Sequence, residues 1–234
     1  MLRSRAACGQ FLSEPEVYGK SFLNQRLEIW LPPSGKVRTL VFAGIHGEEP
    51  ETSVVLSRSL RALADPLERC AVVVAANPDG LIRGTRGNAR GVDLNRNFPT
   101  QDWQPDSVTH RWVVEEPSEV LLRTGGSPGS EPETQALVAV VAKLDPARAI
   151  AMHAPLACMD DPEESPEAGW LSEQTQLPVV SGVGYPTPGS FGTWCAERQL
   201  PVITYEFPRK SVEQLVLDHF PALTQVLSGS WPFD

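Results

Sequence analysis

The stretch Ala43-Gly44-Ile45-His46-Gly47-Glu48-Glu49-Pro50 decides how this chain folds and where its polar chemistry lies. The largely apolar residues 37–42 before it predict a buried strand, and the apolar spacing over 50–64 predicts a helix. His46 and Glu49 are therefore expected at the carboxyl end of a strand, where open α/β sheets bind their ligands. An imidazole and a carboxylate three residues apart can share one cation, but such a pair is common in sequences and indicates little alone.

The composition is that of an ordinary globular protein. The chain has 234 residues, 41 % hydrophobic and 21 % charged, which fits one large α/β domain better than two small ones. We expect a single catalytic domain over 1–234, in which 1–26 form a polar N-terminal surface arm. The net charge of −9 argues against nucleic acid and anionic membranes as partners.

Targeting signals are absent from the sequence. No run of residues is long and apolar enough to cross a bilayer. The N-terminal residues include arginines but lack the apolar stretch of an export signal, so we expect a cytoplasmic protein.

The four cysteines are scattered along the chain without a CxxC pair; they are Cys8, Cys70, Cys158 and Cys195. This pattern excludes a cysteine-based zinc site and a disulfide framework. We expect free thiols, and the sequence leaves open one bridge between Cys158 and Cys195.

Predicted strands and helices alternate along the rest of the chain. The further strands are 27–31, 70–76, 149–152, 179–181 and 201–205. The further helices are 131–144 with Ser130 as N-cap, 167–177, 191–199 and 211–227. This alternation predicts an α/β fold with a mixed, mostly parallel β-sheet flanked by helices on both faces.

A long polar region separates the strand 70–76 from the helix 131–144. Asn77-Pro78-Asp79-Gly80 predicts a tight turn. The segment 81–105 is rich in Arg, Asn and Gly without periodicity, and such long loops are usually functional. Residues 106–130 form a further irregular insertion.

Two more polar residues follow predicted strands directly, His153 after 149–152 and Glu206 after 201–205. Alone, His153 would be interpreted as a core histidine. Together with His46 and Glu49, it completes two imidazoles and a carboxylate, a common ligand set for catalytic zinc with one position left for water.

These motifs together resemble the zinc metallocarboxypeptidase family, which implies a single-domain carboxypeptidase-like fold and peptide hydrolysis. The match runs in the family's order from Phe42 to Phe207. Its elements are His46-Gly47-Glu48-Glu49, Asn77-Pro78-Asp79-Gly80, Arg86, Gly91-Val92-Asp93-Leu94-Asn95-Arg96-Asn97-Phe98, His153 and Thr204-Tyr205-Glu206-Phe207.

Within that family the likeness is strongest to the murein tripeptide amidases, in the stretches 128–137, 155–162 and 184–190. This implies hydrolysis of the γ-D-glutamyl–meso-diaminopimelate bond of L-Ala-γ-D-Glu-meso-diaminopimelate during cytoplasmic peptidoglycan recycling. The short chain and the lack of an export signal agree with this subgroup.

The resemblance implies a role for each catalytic position. His46, Glu49 and His153 would hold one zinc ion per chain, which activates a water molecule. Glu206 would be the general base that moves the water proton to the leaving amine. Arg86 would stabilise the oxyanion of the tetrahedral intermediate.

The resemblance also implies substrate-binding residues. Asn95 and Arg96, together with Arg86, would grip the free carboxylate of the terminal residue, because arginine forms a bidentate fork with carboxylate. Tyr185 lies about where the family has a mobile tyrosine on the substrate side.

The diaminopimelate side chain ends in an ammonium and a carboxylate, so its pocket should be polar and of mixed charge. Asp160, in the acidic turn Asp160-Asp161-Pro162, is the candidate for the ammonium, with a solvated surface turn as the alternative. The insertion 106–130 is hypothesised to narrow the cleft to small peptides.

Three alternatives stay open at this point. One is a small-molecule deacylase of the aspartoacylase and succinylglutamate desuccinylase type, although the 28 residues after Glu206 are too few for its additional β-rich domain. The others are a zinc carboxypeptidase of different specificity and a cell-wall-peptide binding module without catalysis. The sequence indicates neither whether longer muropeptides are accepted nor whether the chain is a monomer or a homodimer.

Overall fold

The structure is a computed structural model that describes residues 9–105, 109–113, 116–119 and 122–233. Its strands are β1 (Glu16–Lys20), β2 (Arg26–Ile29), β3 (Thr39–Phe42), β4 (Cys70–Val73), β5 (Thr109–Val113), β6 (Glu116–Glu119), β7 (Arg148–His153), β8 (Cys158–Asp160), β9 (Val179–Val180) and β10 (Val202–Glu206). Its helices are α1 (Pro50–Ala62), α2 (Pro78–Arg83), α3 (Pro132–Leu144), α4 (Pro166–Thr175), α5 (Phe191–Ala196) and α6 (Val212–Leu227), with a 3₁₀ turn at Leu94–Arg96.

A six-stranded sheet in the order β4-β3-β7-β10-β8-β9 forms the centre of the fold. The pairs β3–β4, β3–β7, β7–β10 and β8–β9 are parallel, and β8–β10 is antiparallel. The predicted mixed, mostly parallel sheet is therefore confirmed. Because β3, β7 and β10 are parallel neighbours, their carboxyl ends lie side by side at one edge of the sheet.

Two apolar clusters cover the two faces of this sheet. Val41 of β3 packs into the cluster beneath α1, α4 and α6. Leu40 and Phe42, its neighbours in β3, pack into the cluster beneath α3 and α5, which includes Phe191. Successive side chains of a strand point to opposite faces, and full burial of one such side chain stabilises the fold by about 1.5–3 kcal/mol.

Most predicted helices and strands are present, with ends that differ by a few residues, but two local predictions are wrong. Asn77-Pro78-Asp79-Gly80 begins α2 instead of forming a tight turn, because the Asn77 side chain accepts from Gly80 N at 2.9 Å as an N-cap. The N-cap of α3 is Glu131 and not Ser130, whose hydroxyl donates to the Glu131 carboxylate at 2.9 Å.

Four strands were not predicted, namely β1, β8, β5 and β6. Residues 16–20 of the expected surface arm form β1, which pairs antiparallel with β2 and packs against α3. The contact is so close that a Cβ on Gly19 would collide with Ala136 of α3. The expected irregular segment 154–166 contains β8, three residues long, which is defined by its pairing with β10.

The insertion 106–130 is not irregular throughout, since β5 and β6 pair antiparallel within it. Whether it narrows the cleft depends on side chains outside the described part of the chain, and Cys8 also lies outside that part. Cys158 and Cys195 are free, so the bridge between them that the sequence left open is absent. Among the described residues, no helix combines the length and apolar character needed to span a bilayer.

Candidate active site

A cleft of about 730 Å³ opens at the carboxyl ends of β3, β7 and β10. It brings together every site residue predicted from the sequence, namely His46, Glu49, Arg86, Asn95, Arg96, His153, Asp160, Tyr185 and Glu206. These residues lie far apart along the chain, from His46 to Glu206, so only the folded sheet makes them neighbours.

The residues after β3 are held in place by a close backbone contact. Glu49 is the residue before α1, whose first residue is Pro50. The loop that carries His46 and Glu49 crosses the first turn of α2, where a Cβ on Gly47 would collide with the backbone of Gly80. A glycine at 47 therefore lets both side chains reach the sheet edge.

His46, Glu49 and His153 are buried and present ligand atoms that all lie within 4.8 Å of one another. Glu49 Oε1 is 2.8 Å from His46 Nδ1, and Glu49 Oε2 is 3.3 Å from His153 Nδ1. The two Nδ1 atoms are 3.3 Å apart. Two imidazole nitrogens and a carboxylate converging in this way can bind one metal ion.

The ionisation of Glu49 suits a cation. Burial by itself would raise the pKa of Glu49, but the charges and hydrogen bonds of His46 and His153 outweigh it and lower the pKa below its ordinary value. The carboxylate is thus an anionic ligand, as a metal site requires.

Asp93 is a site residue that the sequence interpretation missed. Its Oδ1 lies 3.1 Å from His46 Nε2, and its Oδ2 accepts from Arg86 Nε at 2.8 Å. In a neutral His46, a proton on Nε2 donated to Asp93 would leave the Nδ1 lone pair facing Glu49 and His153, which is the tautomer a metal ligand needs. This orientation shows that the three residues fit a metal ion.

The charge of Asp93 is secured by the same contacts. Burial would raise its pKa, but Arg86 and His46 outweigh burial and hold the pKa well below its ordinary value. The sequence signal for Asp93 was its place in the quoted motif that contains Asn95 and Arg96, but its hydrogen-bond partners were not visible there.

Glu206 ends β10 and lies beside His153 in the parallel register of β7 and β10. Its Oε2 accepts from Leu156 N at 3.2 Å, which fixes the carboxylate at the cleft wall. Burial and then the charge of Glu49 raise the pKa of Glu206 above its ordinary value. A carboxylate of raised pKa is a better proton acceptor near neutral pH.

Arg86 lies next to the metal-ligand cluster of His46, Glu49 and His153. Carboxylates hold the Arg86 guanidinium in place. Besides Asp93, its Nη1 contacts Glu48 Oε1 at 3.3 Å and lies 3.8 Å from Glu49 Oε1. The guanidinium therefore places a fixed positive charge at the cleft, where it can stabilise negative charge on a bound group.

Asn95 and Arg96 enter the cleft from the 3₁₀ turn, which Asp93 caps by accepting from Asn95 N at 2.9 Å. Asn95 Oδ1 accepts from Phe191 N at 2.8 Å, so its amide NH₂ is the group left to donate. Arg96 is 2 % exposed, hydrogen-bonds Tyr185, and has a buried Nε without a partner among the described residues. A carboxylate would satisfy this guanidinium.

The chain matches the zinc carboxypeptidase family over residues 11–156, more than half of its length. Murein peptide amidase A of Escherichia coli K12 is 45 % identical over 228 residues, which span 96 % of this chain and 94 % of that protein. Murein peptide amidase A of Vibrio campbellii is 42 % identical over 220 residues, 93 % of this chain and 88 % of that protein.

The structural comparison agrees. The crystal structure of the murein-tripeptide amidase of Escherichia coli O157 superposes with a TM-score of 0.93 and 43 % identity, covering 100 % of this chain and 99 % of that one. The likenesses in sequence and structure extend over nearly the whole chain, and they favour the peptidase over the deacylase alternative.

Proposed function

The chain belongs to the zinc carboxypeptidase family, and we propose that it hydrolyses the γ-D-glutamyl–meso-diaminopimelate bond of the murein tripeptide L-Ala-γ-D-Glu-meso-diaminopimelate. It is a peptide hydrolase, as the family and the murein peptide amidase relatives indicate. The observation that carries the proposal is the convergence of His46, Glu49 and His153 in one cleft with Glu206 and Arg96.

His46, Glu49 and His153 would hold one zinc ion per chain. Bound there, zinc supplies Lewis-acid chemistry, lowering the pKa of a water molecule to about 7 and polarising the scissile carbonyl. Asp93 supports this arrangement, because its hydrogen bond to His46 directs the Nδ1 lone pair at the site.

Glu206 would move the proton in this reaction. Its carboxylate would accept a proton from the attacking water and deliver it to the amine of the departing diaminopimelate, so that the amide bond breaks as the new acid forms. The hydrogen bond from Leu156 N holds one oxygen in place, which orients the carboxylate for this transfer.

The arginines would bind negative charge at two positions. Arg86, fixed by Asp93 and Glu48, would face the oxyanion that develops on the D-glutamyl carbonyl. Arg96 and the amide of Asn95 would bind the α-carboxylate of the terminal residue, with Tyr185 closing over it. The reaction then removes only a residue with a free carboxylate.

The test is to incubate the purified protein with L-Ala-γ-D-Glu-meso-diaminopimelate and measure released diaminopimelate by chromatography. Release is expected with zinc and is expected to stop after treatment with a chelator. A matched peptide joined by an ordinary α-linkage to a terminal L-leucine separates an amidase from a general carboxypeptidase. Equal rates on both peptides, or release that chelation leaves unchanged, would contradict the proposal.

The cell-biological part of the proposal is peptidoglycan recycling in the cytoplasm. The relatives' name, murein peptide amidase, supports an action on cell-wall peptides, and the compartment stays a prediction.

A further inference from the structure

We propose that Asp160, assisted by the hydroxyl of Thr204, binds the distal ammonium of the diaminopimelate side chain and so sets the specificity of the cleft. This inference rests on the proposed function and names the residue that selects the substrate. Asp160 and Thr204 both line the cleft that contains the metal-ligand cluster.

The strand register places Asp160 relative to Glu206. In the antiparallel pair of β8 and β10, Cys158 lies opposite Glu206 and Asp160 lies opposite Thr204. Opposite residues of such a pair share one face, as do residues two apart on one strand. Asp160 and Thr204 therefore lie on the face that carries Glu206, two residue pairs further along the sheet.

The distance of this step matches the proposed ligand. Two residues of strand advance by about 7 Å, since each residue rises by roughly 3.3 Å. The diaminopimelate side chain has three methylenes between its two amino-acid centres, a comparable reach. A terminal residue whose amide bond lies at Glu206 can thus extend its far end to Asp160.

Asp160 lacks a partner for one of its oxygens. Its Oδ1 is buried and has no hydrogen-bond partner among the described residues. Burial, followed by the neighbouring charge of Asp161, raises the pKa of Asp160 to about 6. An ammonium would supply both the missing donor and the compensating charge, which is the strongest kind of hydrogen bond available to a carboxylate.

The structure distinguishes Asp160 from its neighbour in the predicted acidic turn. The Asp161 carboxylate accepts from Glu163 N at 3.1 Å and from Ser165 N at 2.9 Å, and it also accepts from the Ser165 hydroxyl. Asp161 therefore organises the chain before α4. Within the turn, Asp160 is the carboxylate left to contact a ligand.

The charges along the cleft are complementary to the two ends of diaminopimelate. Arg86 and Arg96 belong to the group around Asp93, close to the metal-ligand cluster. Asp160 lies on β8, opposite Thr204 of β10 and two residues from Cys158, which lies opposite Glu206. A residue bound through its α-carboxylate at Arg96 would bring its distal ammonium to Asp160.

The experiment compares the zinc-loaded wild type with Asp160→Asn on four tripeptides. Their terminal residues are meso-diaminopimelate, L-lysine with only the distal ammonium, 2-aminopimelate with only the distal carboxylate, and norleucine with neither. The wild type is expected to prefer the first two. Asp160→Asn should lower kcat/KM about tenfold to a hundredfold for these two and leave the other two nearly unchanged.

The matched control is Glu163→Gln, which removes the same charge from an exposed residue at the rim of the same cleft. It is expected to leave all four rates unchanged. An equal loss on all four peptides in Asp160→Asn, or an unchanged ratio of diaminopimelate to 2-aminopimelate, would overturn the inference.

A binding measurement separates this inference from the proposed function. Titration calorimetry with free meso-diaminopimelate and free 2-aminopimelate needs no catalysis. The wild type should bind meso-diaminopimelate more tightly, and Asp160→Asn should lose that preference. If no tripeptide is cleaved, the proposed function fails, while the loss or retention of this binding preference still decides the role of Asp160.

Discussion

The carboxylate of Asp93 lies 3.1 Å from Nε2 of His46, while Nδ1 of the same ring lies 2.8 Å from Glu49. The Asp93 carboxylate thus orients the His46 imidazole toward the Glu49 carboxylate. The other oxygen of Asp93 accepts from Arg86 Nε, so a single buried residue positions both a metal ligand and the proposed oxyanion-binding arginine.

Replacing Asp93 with Asn should weaken zinc binding. The isosteric amide removes the charge that stabilises a proton on His46 Nε2 and turns an NH₂ toward either His46 or Arg86. Losses of about 10–100-fold in metal affinity are usual for such supporting residues. Competition with a chromophoric chelator measures the affinity. Glu48→Gln, which removes a carboxylate that contacts Arg86, is the control, and equal zinc affinity in both variants would contradict the prediction.

Replacing Glu206 with Gln should lower kcat by about 10²–10⁴-fold, because the amide cannot accept the proton. The Gln carbonyl can still accept from Leu156 N, so the fold and the zinc content should be retained. Steady-state kinetics on the tripeptide, together with metal analysis, makes the measurement. A variant with normal zinc content and a kcat near that of the wild type would remove Glu206 from the mechanism.

Replacing Arg96 with Lys should raise KM and lower kcat/KM by about tenfold to a hundredfold, since lysine keeps the charge but loses the fork to a carboxylate. The wild type should also discriminate against a tripeptide whose terminal α-carboxylate is amidated, and the variant should discriminate less. Arg90→Lys makes the same change at a half-exposed position outside the cleft. Similar kinetics for both lysine variants would argue against carboxylate binding by Arg96.

The protein should become less stable as the pH is lowered from 6.5 to about 4, because of His219 in α6. The Nδ1 atom of this buried residue lies 2.8 Å from the Tyr205 hydroxyl, and burial lowers the pKa of His219 from 6.5 to about 4, with Asp218 opposing and Lys210 adding to the shift. Between these values the unfolded chain binds a proton that the folded chain does not. The free energy of unfolding therefore decreases as pH falls, by at most about 1.4 kcal/mol per pH unit for one proton.

The variant His219→Asn tests this, since its side-chain amide can hydrogen-bond the Tyr205 hydroxyl without titrating. Urea unfolding from pH 4 to pH 7 should show a shallower decline for the variant than for the wild type. Parallel curves would mean that His219 titrates alike in both states.

Local patterns failed where an element depends on distant residues. The strand β8 is three residues long and is recognisable only by its pairing with β10 and β9. Likewise, β1 within the expected arm is defined by its pairing with β2 and by the contact of Gly19 with α3. Asn77 has the chemistry of both a turn and an N-cap, and the tertiary setting selected the helix α2.

The amino-acid order alone determined the alternation of strands and helices and the polar residues His46, Glu49, His153 and Glu206 at the strand ends. This is possible because parallel strands are apolar on both faces, so a polar residue directly after one stands out. Only the tertiary structure decided which polar groups complete each other's hydrogen bonds. Asp93 reaches His46 across 47 positions of sequence, and Asp160 gains its place by pairing with Thr204. Such pairs depend on strand register and burial, which no local pattern encodes.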